Sequence, residues 1–140
     1  MFRILILCAA IATFSDCAYN KTEKLEVFFK DCQTKTGASQ EDFEAIKQRR
    51  IPDTPEGLCM VECIFSKLKI FRDGKFNKNG MVLTFTPVLK GDMGKVKKLN
   101  EVATKCEKEV ATKRNEKCQM VRTLIDCFSK YGNDLGLANQ

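Results

Sequence analysis

Residues 54–71 read TPEGLCMVECIFSKLKIF, and this stretch decides the fold. Thr54 has an N-cap side chain, and Pro55 suits the first helical position, where its missing N–H costs nothing. Cys59, Met60, Ile64, Leu68 and Phe71 recur at helical spacing, which predicts a helix from Thr54 to about Phe71. Cys59 and Cys63 are four residues apart, so they share a face and point away in parallel. Each is expected to bond a different segment.

The same period extends in both directions. A first helix is expected from about Thr22 to Thr36, with Leu25, Phe28, Phe29 and Cys32 on one side and Gly37 as its stop. Ser39 with Asp42 makes a capping pattern for a second helix that buries Phe43 and Ile46. Asp73-Gly74 and Asn79-Gly80 read as turns. A short fourth helix follows over about Met81–Lys90, although Met81–Phe85 is also the single β-like run. Asp92 caps a fifth helix reaching about Glu109, with Met93, Val96, Leu99, Val102 and Cys106 as its apolar stripe. The sixth runs from about Asn115 to Tyr131 and ends at Gly132. The expected fold class is all-α, a six-helix bundle.

The N-terminus reads as an export signal. Arg3 precedes the eleven-residue apolar run Ile4–Phe14, too short to span a bilayer, and the small residues Ser15, Cys17 and Ala18 follow. Residues 1–18 are therefore expected to be removed, leaving a domain of residues 19–140. Such a length buries roughly two-thirds of its unfolded surface. No second run is long enough for stable membrane insertion. Asn20-Lys21-Thr22 is an N-glycosylation acceptor pattern at Asn20.

Of eight cysteines, Cys8 and Cys17 fall in the signal. Cys32, Cys59, Cys63, Cys106, Cys118 and Cys127 remain, an even set in an oxidising compartment, which reads as a disulfide framework rather than a metal site. On one helix, Cys118 and Cys127 would face opposite sides, about 13.5 Å apart and beyond disulfide reach. Six cysteines allow fifteen pairings. Forbidding 59–63 and 118–127 leaves ten, and spacing alone does not choose among them.

The chain contains no histidine. That removes imidazole as general base, triad member or zinc ligand. No Gly-x-Ser-x-Gly elbow is present either. A non-enzymatic protein without cofactor or metal is expected. The net charge of +6 comes from scattered lysines with acidic residues between them, which suits a solvated helix face better than nucleic-acid binding.

The spacing Cys32-x26-Cys59-x3-Cys63-x42-Cys106-x11-Cys118-x8-Cys127 resembles that of the insect odorant-binding proteins, in which the x3 and x8 intervals are fixed. The resemblance implies disulfides 32–63, 59–118 and 106–127, and a bundle enclosing an apolar cavity. It implies an extracellular carrier that binds small hydrophobic molecules such as odorants or pheromones and brings them through aqueous fluid to a chemosensory receptor, as a monomer or weak dimer. The side chains expected to line the cavity are Phe29, Met60, Ile64, Leu68, Phe76, Met81, Phe85, Leu89, Leu99, Val121, Leu124, Ile125 and Phe128. Ten Phe and five Met in a chain without Trp suit an adaptable apolar wall. Ser66, Thr84, Thr86, Thr123 and Tyr131 are the candidate polar contacts. Two features depart from the resemblance: many relatives are acidic, and some release ligand through histidine titration. The competing expectation is a secreted helical signal or toxin-like protein acting through its basic surface.

Overall fold

A computed structural model describes residues 24–113 and 116–136. The expected signal, its cleavage point and Asn20 lie outside these residues. The first helix, α1, covers residues 24–36 and stops at Gly37, whose φ of 72° is the left-handed conformation expected there. The other helices are α2 (Gln40–Lys47), α3 (Pro55–Lys67), α4 (Lys78–Phe85), α5 (Met93–Ala111) and α6 (Gln119–Tyr131). Short 3-10 turns at Thr86–Leu89 and Asn133–Leu135 follow α4 and α6. Strands β1 (Phe71–Arg72) and β2 (Lys75–Phe76) pair antiparallel, Phe71 opposite Phe76.

Capping explains the start of three helices. Ser39 and Asp42 form the reciprocal capping box of α2. Thr54 accepts from the Gly57 N–H at the start of α3, and Asp92 accepts from the Lys95 N–H at the start of α5.

Four boundaries differ from the sequence expectation. Helix α3 ends at Lys67, not Phe71. Lys69 turns left-handed at φ 64°, its N–H bonds the Ser66 carbonyl and the Ile70 N–H bonds that of Phe65. This is a Schellman closure made without glycine. It releases Phe71 into the hairpin, where Asp73 and Gly74 both have positive φ, the signature of a type I′ turn. Asn79-Gly80 is not a turn but the first part of α4, which runs Lys78–Phe85 rather than Met81–Lys90. The β-like run Met81–Phe85 is therefore helical. Helix α6 begins at Gln119, not Asn115, and Cys118 precedes it with φ 61°. Met93, expected in the buried stripe of α5, is 74% exposed.

The disulfides are Cys32–Cys63, Cys59–Cys118 and Cys106–Cys127. They tie α1 to α3, α3 to the start of α6, and α6 to α5. Three groups of buried side chains fill the bundle. The largest joins α3, the hairpin, α5 and α6 through Val61, Ile70, Phe71, Val102, Val121 and Leu124. A second sits between α1, α2 and α3, around Phe43, Met60 and Ile64. The third, Leu89, Leu99 and Leu135, pins both 3-10 turns against α5.

Candidate functional site

A pocket of about 210 Å3 opens where α3, α4 and α6 meet. Phe65 comes from α3, Met81 and Phe85 from α4, and Leu124, Ile125, Phe128 and Ser129 from α6. Gly132 and Asn133 form the rim where the chain leaves α6. Met81 and Leu124 are buried and form the floor, while Phe65, Phe85, Ile125 and Phe128 are half-buried and form walls. A wall of this kind takes an apolar guest by burial, and it offers few polar groups to fix orientation.

The pocket exists because α4 lies unusually close to the end of α3. A Cβ at Gly80 would stand 1.9 Å from the Lys69 carbonyl oxygen, so only glycine permits that approach. Asn77 donates its side-chain amide to the same carbonyl at 2.9 Å. The Thr84 hydroxyl reaches the Leu68 carbonyl at 3.2 Å and the Gly80 carbonyl at 2.7 Å. These bonds set Met81 and Phe85 opposite α6. On the far side, Leu135 is 1% exposed and packs with Phe85 and Phe128, bracing both aromatic walls from behind.

The thirteen side chains expected around one cavity are divided by the structure. Met81, Phe85, Leu124, Ile125 and Phe128 line this pocket. Phe29, Met60 and Ile64 pack in the α1–α2–α3 group, Leu89 and Leu99 in the third group, and Val121 in the largest. Leu68 packs between the first two groups, and Phe76 lines a separate recess. Phe65, Ser129, Gly132 and Asn133 were not anticipated. Phe65 shares a helical face with Val61 and Leu68 at spacings of four and three, which is the one signal that points to it.

Thr123 is half-buried on α6 and is not among the residues that line this pocket, and the other four polar candidates are engaged elsewhere. The hydroxyls of Ser66, Thr84 and Thr86 donate to the carbonyls four residues before them, those of Glu62, Gly80 and Val82. Tyr131 lies under the Lys105 and Lys130 ammonium groups at 5.1 and 5.0 Å. Ser129 and Asn133 are instead the polar side chains at the mouth.

Charge lies away from this pocket. Asp31 of α1 pairs with Lys67 of α3 at 2.6 Å and with Lys35 at 3.1 Å, which holds its carboxyl below the usual range. Burial pushes the Glu62 carboxyl up, and among the described residues its Oε2 has no hydrogen-bond partner. Among the described residues, no cluster of three or more His, Cys, Asp or Glu could hold a metal ion. No described helix is long and apolar enough to cross a membrane.

Six α-helices locked by three cross-links around an aromatic-walled recess define a disulfide-stapled helical domain with an apolar site. This chain belongs to the PBP/GOBP family, whose pattern it matches over residues 15–131. It is 33% identical over 78 residues to general odorant-binding protein 19d of Drosophila melanogaster. That match covers 55% of this chain and 52% of the relative, so it spans about half of the relative's length. The fold is similar to that of odorant-binding protein dmelOBP28a from Drosophila melanogaster, with a TM-score of 0.64 at 18% identity over 84% of this chain and 97% of that one. It is also similar to the fatty acid binding protein OBP56a from the oral disk of the blowfly Phormia regina, with a TM-score of 0.61 at 21% identity, covering 82% of this chain and 94% of that one.

Proposed function

We propose that this protein is an extracellular carrier that binds a small hydrophobic molecule, of the odorant or pheromone class, and brings it through aqueous fluid to a receptor. One observation carries this reading: the Phe65, Phe85 and Phe128 walls stand over the buried Met81 and Leu124 floor, and the polar lining residues among the described ones, Ser129 and Asn133, lie at the mouth. Family membership supports it, as do relatives named for odorant and fatty acid binding.

The energetics suit reversible carriage. Burying about ten ligand carbons contributes about 8 kcal/mol gross. Micromolar affinity corresponds to about 8 kcal/mol net, so once association costs are subtracted a ligand of this size binds more weakly than that, which permits ready release. Nothing in such a site needs a metal or a general base.

The test is displacement of a fluorescent apolar probe by a panel of small volatiles, in the native protein and in Ser129→Trp. Ser129 is exposed at the mouth, so an indole there blocks the recess without disturbing the core. Displacement in the native protein, weakened at least tenfold in the variant, is the expected result. No displacement by any volatile, or equal displacement in both proteins, would overturn the assignment.

A further inference from the structure

A second recess, of about 230 Å3, lies beyond the hairpin. Lys75 and Phe76 of β2, Glu107, Val110 and Ala111 of α5, and Met120 of α6 form its walls. Met81 and Leu124 of the first recess and Val110 and Met120 of the second belong to one continuous buried group, so both recesses border the same part of the core.

A file of aromatic rings runs from a wall of one to a wall of the other. Phe65, a wall of the first recess, lies 6.3 Å from Phe71, and Phe71 lies 6.3 Å from Phe76, a wall of the second. Phe71 is 3% exposed and is carried by a strand of only two residues. A hairpin this short has little stability of its own and holds its place by packing.

We propose that the two recesses are the ends of one channel, opened when an unbranched aliphatic ligand displaces the Phe71 ring. This inference rests on the carrier reading and names its ligand. Volume is the first argument. A dry cavity of about 150 Å3 takes benzene, and pockets that enclose larger ligands begin near 300 Å3. Neither recess reaches that size alone, whereas the two joined exceed it. Shape is the second. Two recesses joined by a row of rings accommodate a chain better than a compact molecule. The head group follows from the second mouth, where the Lys75 ammonium and Glu107 carboxylate offer a donor and an acceptor of opposite charge. With one charge of each sign, such a rim has no net preference for an ion and suits an uncharged hydroxyl, which both donates and accepts.

The experiment measures the affinity of straight-chain alkanols of about six to about sixteen carbons, by probe displacement, in the full chain and in two variants. Each buried methylene should strengthen binding about fourfold, and the rise should continue beyond the length one recess holds. Ala111 is exposed, so Ala111→Trp fills the second recess without entering the core. It should leave the shortest alkanols within about twofold of native and weaken the longest by tenfold or more, the loss of about two buried methylenes. The chain has no tryptophan, so Phe76→Trp supplies a lone reporter whose emission should shift with the longest alkanol and not with the shortest. An effect of Ala111→Trp that is absent or equal at every length, with short alkanols still bound, overturns the channel alone. Failure of every alkanol to bind overturns the carrier reading with it.

Discussion

The Asp42 carboxylate accepts the hydroxyl of Thr54 at 2.8 Å, and these two residues start different helices. The same oxygen, Oδ2, accepts the Ser39 N–H at 3.1 Å. Thr54 meanwhile accepts the Gly57 N–H at 3.0 Å. One buried carboxylate therefore completes the cap of α2 and orients the cap of α3. Gly57 fits because a Cβ there would lie 2.9 Å from the Asp42 Cγ and 2.3 Å from the Pro52 Cβ. Losing the carboxylate removes a cap, worth about 1 kcal/mol, and charge-assisted bonds of at least similar worth. Asp42→Ala should cost about 2 kcal/mol in urea unfolding, whereas Glu41→Ala on the exposed side should stay within about 0.5 kcal/mol. Equal effects would show that the shared cap carries no special weight.

Gly80 gives a prediction whose sign opposes helix propensity. In an exposed helix, Gly→Ala stabilises by about 1 kcal/mol. Here the added methyl meets the Lys69 carbonyl, a backbone atom held by the Schellman closure. Gly80→Ala should therefore destabilise by about 1–3 kcal/mol and weaken apolar probe binding, since α4 must retreat from α6. Thermal unfolding and probe titration of one preparation check both effects.

The contrast between Gly37 and Lys69 shows what the sequence could reveal. Gly37 announces the end of α1 because glycine adopts positive φ freely. Arg49 and Lys69 close α2 and α3 in the same conformation, at φ 60° and 64°, yet neither residue signals it. Helix α3 therefore reads four residues too long, and the hairpin that places Phe71 is hidden. Apolar spacing was more informative about which side chains turn inward than about what they meet. Met60 and Met81 are both buried at helical positions, but one fills the α1–α2–α3 core and the other floors the pocket. That difference depends on the approach of α4 to Lys69, a tertiary contact with no local pattern. The half-turn separation of Cys118 from Cys127 has a similar limit, since Cys118 lies just outside α6.

The cross-links should differ in weight. Cys59–Cys118 spans 59 residues and Cys106–Cys127 spans 21. Loop-closure entropy assigns them about 4 and about 3 kcal/mol. The longer link also ties α3, which carries Phe65, to the start of α6, which carries Phe128. Replacing Cys59 and Cys118 by alanine should lower stability more and weaken probe binding. Replacing Cys32 and Cys63 loosens α1, which contributes nothing to the pocket, and should leave affinity within about threefold of native while costing about 3–4 kcal/mol. Denaturant midpoints and probe affinities for the two double variants separate these roles.

Two carboxyls predict opposite responses to acid. Asp31 is held low by Lys67 and Lys35, so its folded form keeps the charge where the unfolded chain takes up a proton. Its contribution is present above the ordinary aspartate pKa of about 3.9 and is lost as pH falls below it. Glu62 is raised by burial, so its folded form keeps a proton that the unfolded chain releases. Its effect therefore runs the other way: stability falls as pH rises above the ordinary glutamate pKa of about 4.3. Asp31→Asn should lower stability slightly at neutral pH, by little because the pair is exposed and screened, and should match the native protein once acid has protonated Asp31, so that its acid limb is the flatter by that amount. Glu62→Gln should raise the urea midpoint at neutral pH, since a neutral amide replaces a charge with a buried and unpartnered oxygen. A midpoint at neutral pH that is unchanged or lowered in Glu62→Gln would mean that this carboxylate is solvated in solution.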